Sequence, residues 1–221
     1  LAAKRLCFGK YVNCGQTCIA PDYLMIEECI KDEFLGYYKA FAKEMYGDNP
    51  LEDPTYGKIV NIKHYTRVKG LIDPAKVIYG GRCNEATLQI EPTIMDNVTA
   101  DDAIMQEEIF GPILPVMTWT NIEEVEQFII NRAKPLACYV FTNSKAIEER
   151  FTKYVSFGGG CINDVINHIV TENMGFGGVG ESGMGSYHGK LTFQTFSHAK
   201  SMIKKSQLID MPMRYRPYKK F

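Results

Sequence analysis

Along this 221-residue chain, short apolar segments that read as strands alternate with amphipathic helices, and that alternation restricts the fold more than any other feature. A two-residue turn can join only antiparallel neighbours, whereas helices of about ten to fifteen residues between strands act as crossovers and leave the strands parallel. A parallel sheet connected in this way is covered by helices on both faces. The expected fold class is therefore α/β, an open, mainly parallel sheet with helices on both faces.

The strands are expected at residues 23–26, 77–79, 87–94, 113–119 and 138–141, with a last one at 201–204 before a proline-containing tail. A helix over residues 1–12 is stopped by Gly15, and one over 30–46 carries Ile30, Phe34, Tyr37, Tyr38, Phe41 and Met45 at spacings of three and four. Further helices cover 62–72 and run from the Asn121/Glu124 capping pattern to about Arg132; Ser144 caps another. Gly47, Pro50, Pro54 and Gly57 mark a loop, and the chain is glycine-rich from Gly158 onward. Its first residue is Leu rather than Met, and the opening helix has no capping residue ahead of it, the pattern of a chain that starts inside an element.

With 25 basic and 26 acidic residues the net charge is -1, which gives no global field to draw nucleic acid or an anionic membrane. The one basic cluster, Arg214, Arg216, Lys219 and Lys220, reads as a solvated end. No apolar run approaches the ~20 residues of a membrane span, and the first twenty residues lack the order of a signal peptide. Seven cysteines, at 7, 14, 18, 29, 83, 138 and 161, form an odd set scattered through apolar segments, which points to a reducing cytoplasm rather than to a disulfide framework.

Most of these thiols read as packing groups, so any one needs its own case. In Asn13-Cys14-Gly15-Gln16-Thr17-Cys18, a cysteine follows a helix end and a glycine turn and precedes a strand, which holds its sulfur on a rigid rim. A thiolate there can add to a carbonyl as a thiohemiacetal and later carry a thioester. The helix C-terminus opposes rather than favours that thiolate, so other groups must activate it. Cys14 and Cys18 also admit a metal pair or two core residues. No second paired ligand set with zinc-like spacing follows them, which weakens the metal reading.

The frame Asn13-x-Gly15-Gln16-x-Cys18 resembles the active-site signature of aldehyde dehydrogenases, and Ala20-Pro21-Asp22-Tyr23 is similar to the class 3 branch of that family. Gln106-Glu107-Glu108-Ile109-Phe110-Gly111-Pro112, by itself a plausible surface loop, resembles the family segment that faces the cofactor. The resemblance implies that Glu108 binds the nicotinamide ribose hydroxyls of NAD or NADP and that Phe110 packs beside the nicotinamide. Gly178, Gly180 and Gly183 form a literal G-x-G-x-x-G, but no strand leads into it, so it is not a dinucleotide fingerprint. That stretch resembles the family's loop near the substrate entrance instead. Asn163-Asp164-Val165 with His168 and Gly185-Ser186-Tyr187-His188-Gly189-Lys190 extend the class 3 likeness. Small departures are Cys14, where Ala or Ser is common, and Glu181, where Asn is frequent.

The resemblance implies an aldehyde substrate, Cys18 as nucleophile, and Asn13, Thr17, Ile19 and His168 as pocket residues. It implies a catalytic domain over residues 1–194, then a dimerisation strand and tail over 195–221, and a homodimer in the full-length protein. It also implies an oxyanion-holding asparagine, a water-activating glutamate and a dinucleotide-binding domain, all normally well ahead of the cysteine and none present in these residues. The 221 residues alone are then expected to turn over aldehydes poorly or not at all. Two other readings stay open: a non-catalytic oligomerisation or binding module, and a residual esterase using the same thiol.

Overall fold

A computed structural model describes residues 1–218; Lys219 and Lys220 of the basic tail lie outside the described residues. Helix α1 (Ala2–Tyr11) buries Ala3, Leu6, Cys7, Lys10 and Tyr11, the i, i+3, i+4 stripe of one helix face. It packs on α2 (Lys31–Tyr46), which buries Leu35, Tyr38 and Ala42. Both rest on a four-stranded sheet in the order β1 (Leu24–Glu27), β6 (Ile113–Trp119), β5 (Thr93–Met95), β2 (Val77–Tyr79). β1 and β5 both run parallel to β6, and β2 is antiparallel to β5.

Period-two alternation along the central strand assigns the two faces. Leu114 and Val116 join the α1/α2 core with Ile94 and Ile26, whereas Ile113 and Met117 point to the opposite core with Tyr65 and Val68 of α3 (Ile62–Gly70). Pro115 has no N–H to give, and it pairs with Met95 one residue before β1 joins at Leu24 and Val116. A second parallel pair, β7 (Ala137–Val140) with β8 (Gly159–Ile162), is connected through α5 (Lys145–Tyr154). Val125 of α4 (Ile122–Ile130) and Phe151 of α5 close a third, smaller core. Asn121 and Ser144 cap α4 and α5 as their sequence positions predict, by accepting from Glu123 N–H and Ile147 N–H.

Two expected strands change, and two elements appear that the sequence pattern did not show. The strand at 87–94 is two elements, β4 (Gln89–Ile90), which forms a hairpin with β3 (Cys83–Asn84), and β5. Pro92, without an N–H, separates them, and Leu88 ahead of them has a φ of 59°. β8 escapes the sequence pattern because it is half glycine: a Cβ on Gly160 would lie 1.9 Å from the Cys138 carbonyl oxygen, so close strand approach replaces apolar alternation. Residues 201–204 pair with no strand among the described residues. Met202 and Ile203 are 80% and 94% exposed there, and an extended segment becomes a strand only against a partner edge. A short helix, α6 (Gly189–Thr195), precedes that arm and buries no residue, which is why no periodic pattern reveals it.

Past Tyr11 the chain leaves α1 through a 3-10 turn, Val12–Gly15, in which Asn13, Cys14 and Gly15 have φ of 51°, 54° and 71°. A Cβ on Gly15 would stand 2.3 Å from the Gly111 carbonyl oxygen, a backbone atom with no freedom to yield. Gly15→Ala is therefore expected to destabilise the protein by roughly 2 kcal/mol or more, read from the urea midpoint. An unchanged midpoint would contradict the close packing of these two segments.

Lys10 is only 1% exposed, and burial brings its ammonium down to about 8 from the ordinary 10.5, against the opposing pull of Asp22 and Glu108. Because the folded pKa is the lower one, the unfolded chain binds more protons between those values, and stability gains from this group as pH rises through them. Below about 8 the unfavourable contribution is complete. The stability difference between wild type and Lys10→Met should accordingly move in favour of wild type between about pH 7 and about pH 10, in paired urea titrations. A difference independent of pH would refute the assignment.

Candidate active site

Cys18 stands exposed on a turn that the five preceding residues build. Left-handed backbone costs a non-glycine residue roughly 1–2 kcal/mol, and here Asn13 and Cys14 both adopt it. Local hydrogen bonds offset that cost. The Asn13 Nδ2 donates to the Gln16 carbonyl at 2.9 Å, and the Gln16 N–H donates back to the Asn13 carbonyl at 3.0 Å. The Gln16 side chain is used at both ends: Nε2 donates to the carbonyls of Asn13 and Lys58, and Oε1 accepts from the Val60 N–H at 2.9 Å. The turn is thus stitched to a segment more than forty residues away.

Cys14 turns inward against Gly57, where an added Cβ would lie 2.8 Å from its Sγ, and burial pushes its thiol up to about 11. A second turn follows, closed by the Ala20 N–H on the Thr17 carbonyl at 2.9 Å, and it carries Cys18 near its tip. Among the described residues the Cys18 N–H finds no acceptor, which leaves a donor beside the sulfur. From behind, the Tyr139 hydroxyl of β7 donates to the Ile19 carbonyl at 2.7 Å. Of the sequence-predicted pocket residues, Asn13 is exposed and Thr17 half-buried, while Ile19 is 1% exposed and lies inside the fold.

Residues 106–112 pack against this turn through the Gly15–Gly111 contact. Glu108 and Phe110 sit on that loop, both exposed, on either side of a completely buried Ile109. Phe110 has a φ of 49°, so its ring is presented by a backbone that few side chains adopt. The Glu108 carboxylate makes no hydrogen bond among the described residues. Partial burial, together with the Asp22 charge, raises its pKa against the pull of Arg67 and Lys10.

His168 is placed differently from these groups. It is 7% exposed, its ring packs edge-on to Tyr139 and tilted against Phe176, and its Nδ1 lies 3.7 Å from the Cys161 Sγ. Burial lowers its pKa, and its Nε2 has no partner among the described residues. It reaches the cysteine turn through Tyr139 rather than by direct contact. The glycine-rich segment folds back on itself, with Phe176 and Tyr187 bridged antiparallel. A Cβ on Gly178 would meet the Ser182 carbonyl oxygen at 2.2 Å, so its glycines serve tight backbone packing. Sequence reasoning quoted Gln16 within the cysteine frame without giving it a role and passed over Tyr139, Arg67 and Lys10; the last carried a signal, a charged residue on the apolar stripe of α1.

Among the described residues the arrangement offers a surface thiol with a free N–H beside it, next to a carboxylate without a hydrogen bond and an exposed aromatic ring. Cys7 and Cys138, by contrast, are driven by burial up to about 12 and about 11. No three His, Cys, Asp or Glu side chains gather to hold a metal among the described residues. None of the described helices is long and apolar enough to cross a membrane.

Comparison with known proteins agrees with this geometry. The family model described as "Aldehyde dehydrogenase family" matches residues 1–202. The chain is 47% identical to the 4,4'-diaponeurosporen-aldehyde dehydrogenase of Staphylococcus aureus, over 99% of this chain and 48% of that protein. It is 45% identical to the dimeric NADP-preferring aldehyde dehydrogenase of Rattus norvegicus, over 94% of this chain and 46% of that one. A solved substrate-bound state of the Staphylococcus aureus enzyme AldH superposes with a TM-score of 0.94 at 46% identity, covering 98% of this chain and 48% of that chain. The chain therefore spans about half the length of these relatives. A family match over residues 1–202, with relatives of 45–47% identity along nearly all of its length, places the chain in the aldehyde dehydrogenase family.

Proposed function

We propose that these residues carry the nucleophile and the nicotinamide-facing loop of an aldehyde dehydrogenase that oxidises an aldehyde to a carboxylic acid with NAD or NADP. The observation that carries the reading is the exposed Cys18, held on its stitched turn against the loop of Glu108 and Phe110. Family membership supports the reaction class, and the names of the relatives support an aldehyde as substrate.

Cys18 attacks the aldehyde carbon through its sulfur, forming a C–S bond and a thiohemiacetal oxyanion. The free Cys18 N–H is in place to donate to that oxyanion as charge develops. Glu108 and Phe110 suit the nicotinamide ribose end of the cofactor. The carboxylate has no hydrogen-bond partner among the described residues and can accept from two hydroxyls, and the ring offers an apolar face. When bound, the dinucleotide supplies hydride acceptance, the chemistry that separates a thiohemiacetal from a thioester. Hydrolysis of the thioester then returns Cys18 to a free thiol.

The functional division proposed from the sequence is chemistry in residues 1–194 and pairing in 195–221. The arm's large apolar side chains support it: Phe196, Met202, Ile203 and Leu208 are all at least 80% exposed, and one relative is named as dimeric. A homodimer of the whole protein would give those side chains a surface to cover.

Brief treatment with limiting iodoacetamide and peptide mapping should find Cys18 alkylated ahead of the other six cysteines, including the exposed Cys29, whose pKa is raised by local desolvation and by Glu27. Burst release from an activated ester should vanish in Cys18→Ser; equal labelling of all seven thiols would defeat the assignment. A polypeptide limited to residues 1–221 is expected to show that burst without steady production of reduced cofactor. Sustained turnover by that polypeptide alone would contradict the expectation that the asparagine and glutamate are needed.

A further inference from the structure

The loop that carries Glu108 and Phe110 has little secondary structure of its own, and one peptide group within it is gripped from both sides. Asp22 Oδ1 accepts from the Ile109 N–H at 3.0 Å. On the other side of the same residue, Arg67 Nη2 donates to the Ile109 carbonyl at 2.6 Å, and Nη1 donates to the Glu108 carbonyl at 3.2 Å and to Glu107 Oε1 at 3.1 Å. Both holders are themselves fixed. Lys10 Nζ, fully buried, donates to the Asp22 carbonyl at 3.3 Å, and Arg67 stands in the last turns of α3, whose Val68 and Tyr65 lie in the core.

We infer that Asp22 and Arg67 form a two-sided clamp on the Ile109 peptide and act as positioning residues that aim Glu108 and Phe110 at the nicotinamide ribose end of the cofactor. The inference rests on the proposed cofactor role of that loop. Three features require such a clamp. Phe110 keeps a left-handed φ of 49°, a conformation that persists only where the surroundings over-determine it. Ile109 is buried in the core between two exposed residues, Glu108 and Phe110, so holding it fixes the side chains on either side. Asp22 lies four residues after Cys18 in the same segment, so one carboxylate fixes the spacing between the nucleophile turn and the cofactor-facing loop. Arg is suited where Lys is not, because its planar fork serves two neighbouring carbonyls at once.

The test uses the complete gene product and two readouts. Amide hydrogen exchange across residues 106–112, without cofactor, reports the clamp itself. Quenching of NADH or NADPH fluorescence reports what the clamp does for binding. Arg67→Met and Asp22→Ala should each accelerate exchange in that segment and weaken binding by about tenfold or more, while the rate of Cys18 alkylation stays near that of wild type. Asp22→Asn, which keeps an acceptor oxygen, should restore most of both properties, and Arg67→Lys should restore only part. Unchanged exchange in Arg67→Met and Asp22→Ala would overturn the clamp. Faster exchange with unchanged binding would overturn its positioning role. If wild type itself bound neither dinucleotide, the proposed function would fail, and so would the positioning role, while the exchange data would still decide whether the clamp exists. A variant that does not fold is recognised by loss of protection throughout, and the comparison then passes to its conservative partner.

Discussion

The site depends on a contact between two backbones. Gly15 and the carbonyl of Gly111 approach so closely that no side chain could stand between them. The Cys18 turn and the loop of Glu108 and Phe110 are distant in sequence, and this contact makes them neighbours. The run of left-handed residues before it follows from the same demand: the chain must reverse abruptly off α1 to reach Gly111, and Asn13, Cys14 and Gly15 accept the necessary dihedrals. Asn and Gly are residue types that tolerate this conformation, whereas Cys14 adopts it under the constraint of neighbours on both sides.

Around that contact the charges form one connected set. Lys10 lies under the site from α1, Asp22 follows the cysteine turn, Glu108 faces outward on the loop and Arg67 reaches in from α3. A buried ammonium is costly unless it is paired, and here the Asp22 carbonyl and the two carboxylates around it offset part of that cost. The same arrangement leaves the Glu108 carboxylate without a hydrogen-bond partner among the described residues. Neutralising any one of the four alters the field at the other three, so single substitutions in this set should not be expected to add.

Much of the fold could be read from the sequence because its core elements obey simple periods. The span of α2, the alternation of the central strand and the caps Asn121 and Ser144 appear at their predicted positions, whereas the face that α2 buries is centred on Leu35, Tyr38 and Ala42 and leaves the predicted Ile30 and Tyr37 exposed. β8 and the break between β4 and β5 were not legible, since close backbone approach and a proline decide them rather than apolar spacing. At the site, Cys18, Glu108 and Phe110 could be singled out through motifs that resemble those of the family. What holds them could not: Gln16 bonds to carbonyls and amides near residue 60, and Arg67 to carbonyls near residue 108, contacts that leave no pattern along a single chain. His168, which the sequence singled out through its neighbours, is buried, with its ring edge-on to Tyr139.

The inward turn of Cys14 bears on how this protein meets oxidants. Two thiols four residues apart have the look of a couple in which one sulfur attacks a partner that has become a sulfenic acid. Here the Cys14 Sγ faces Gly57 in the core, its thiolate form is suppressed by burial, and its backbone is fixed in a left-handed turn. Cys14 is therefore poorly placed to act as the resolving thiol of an oxidised Cys18, although it stands only four residues away.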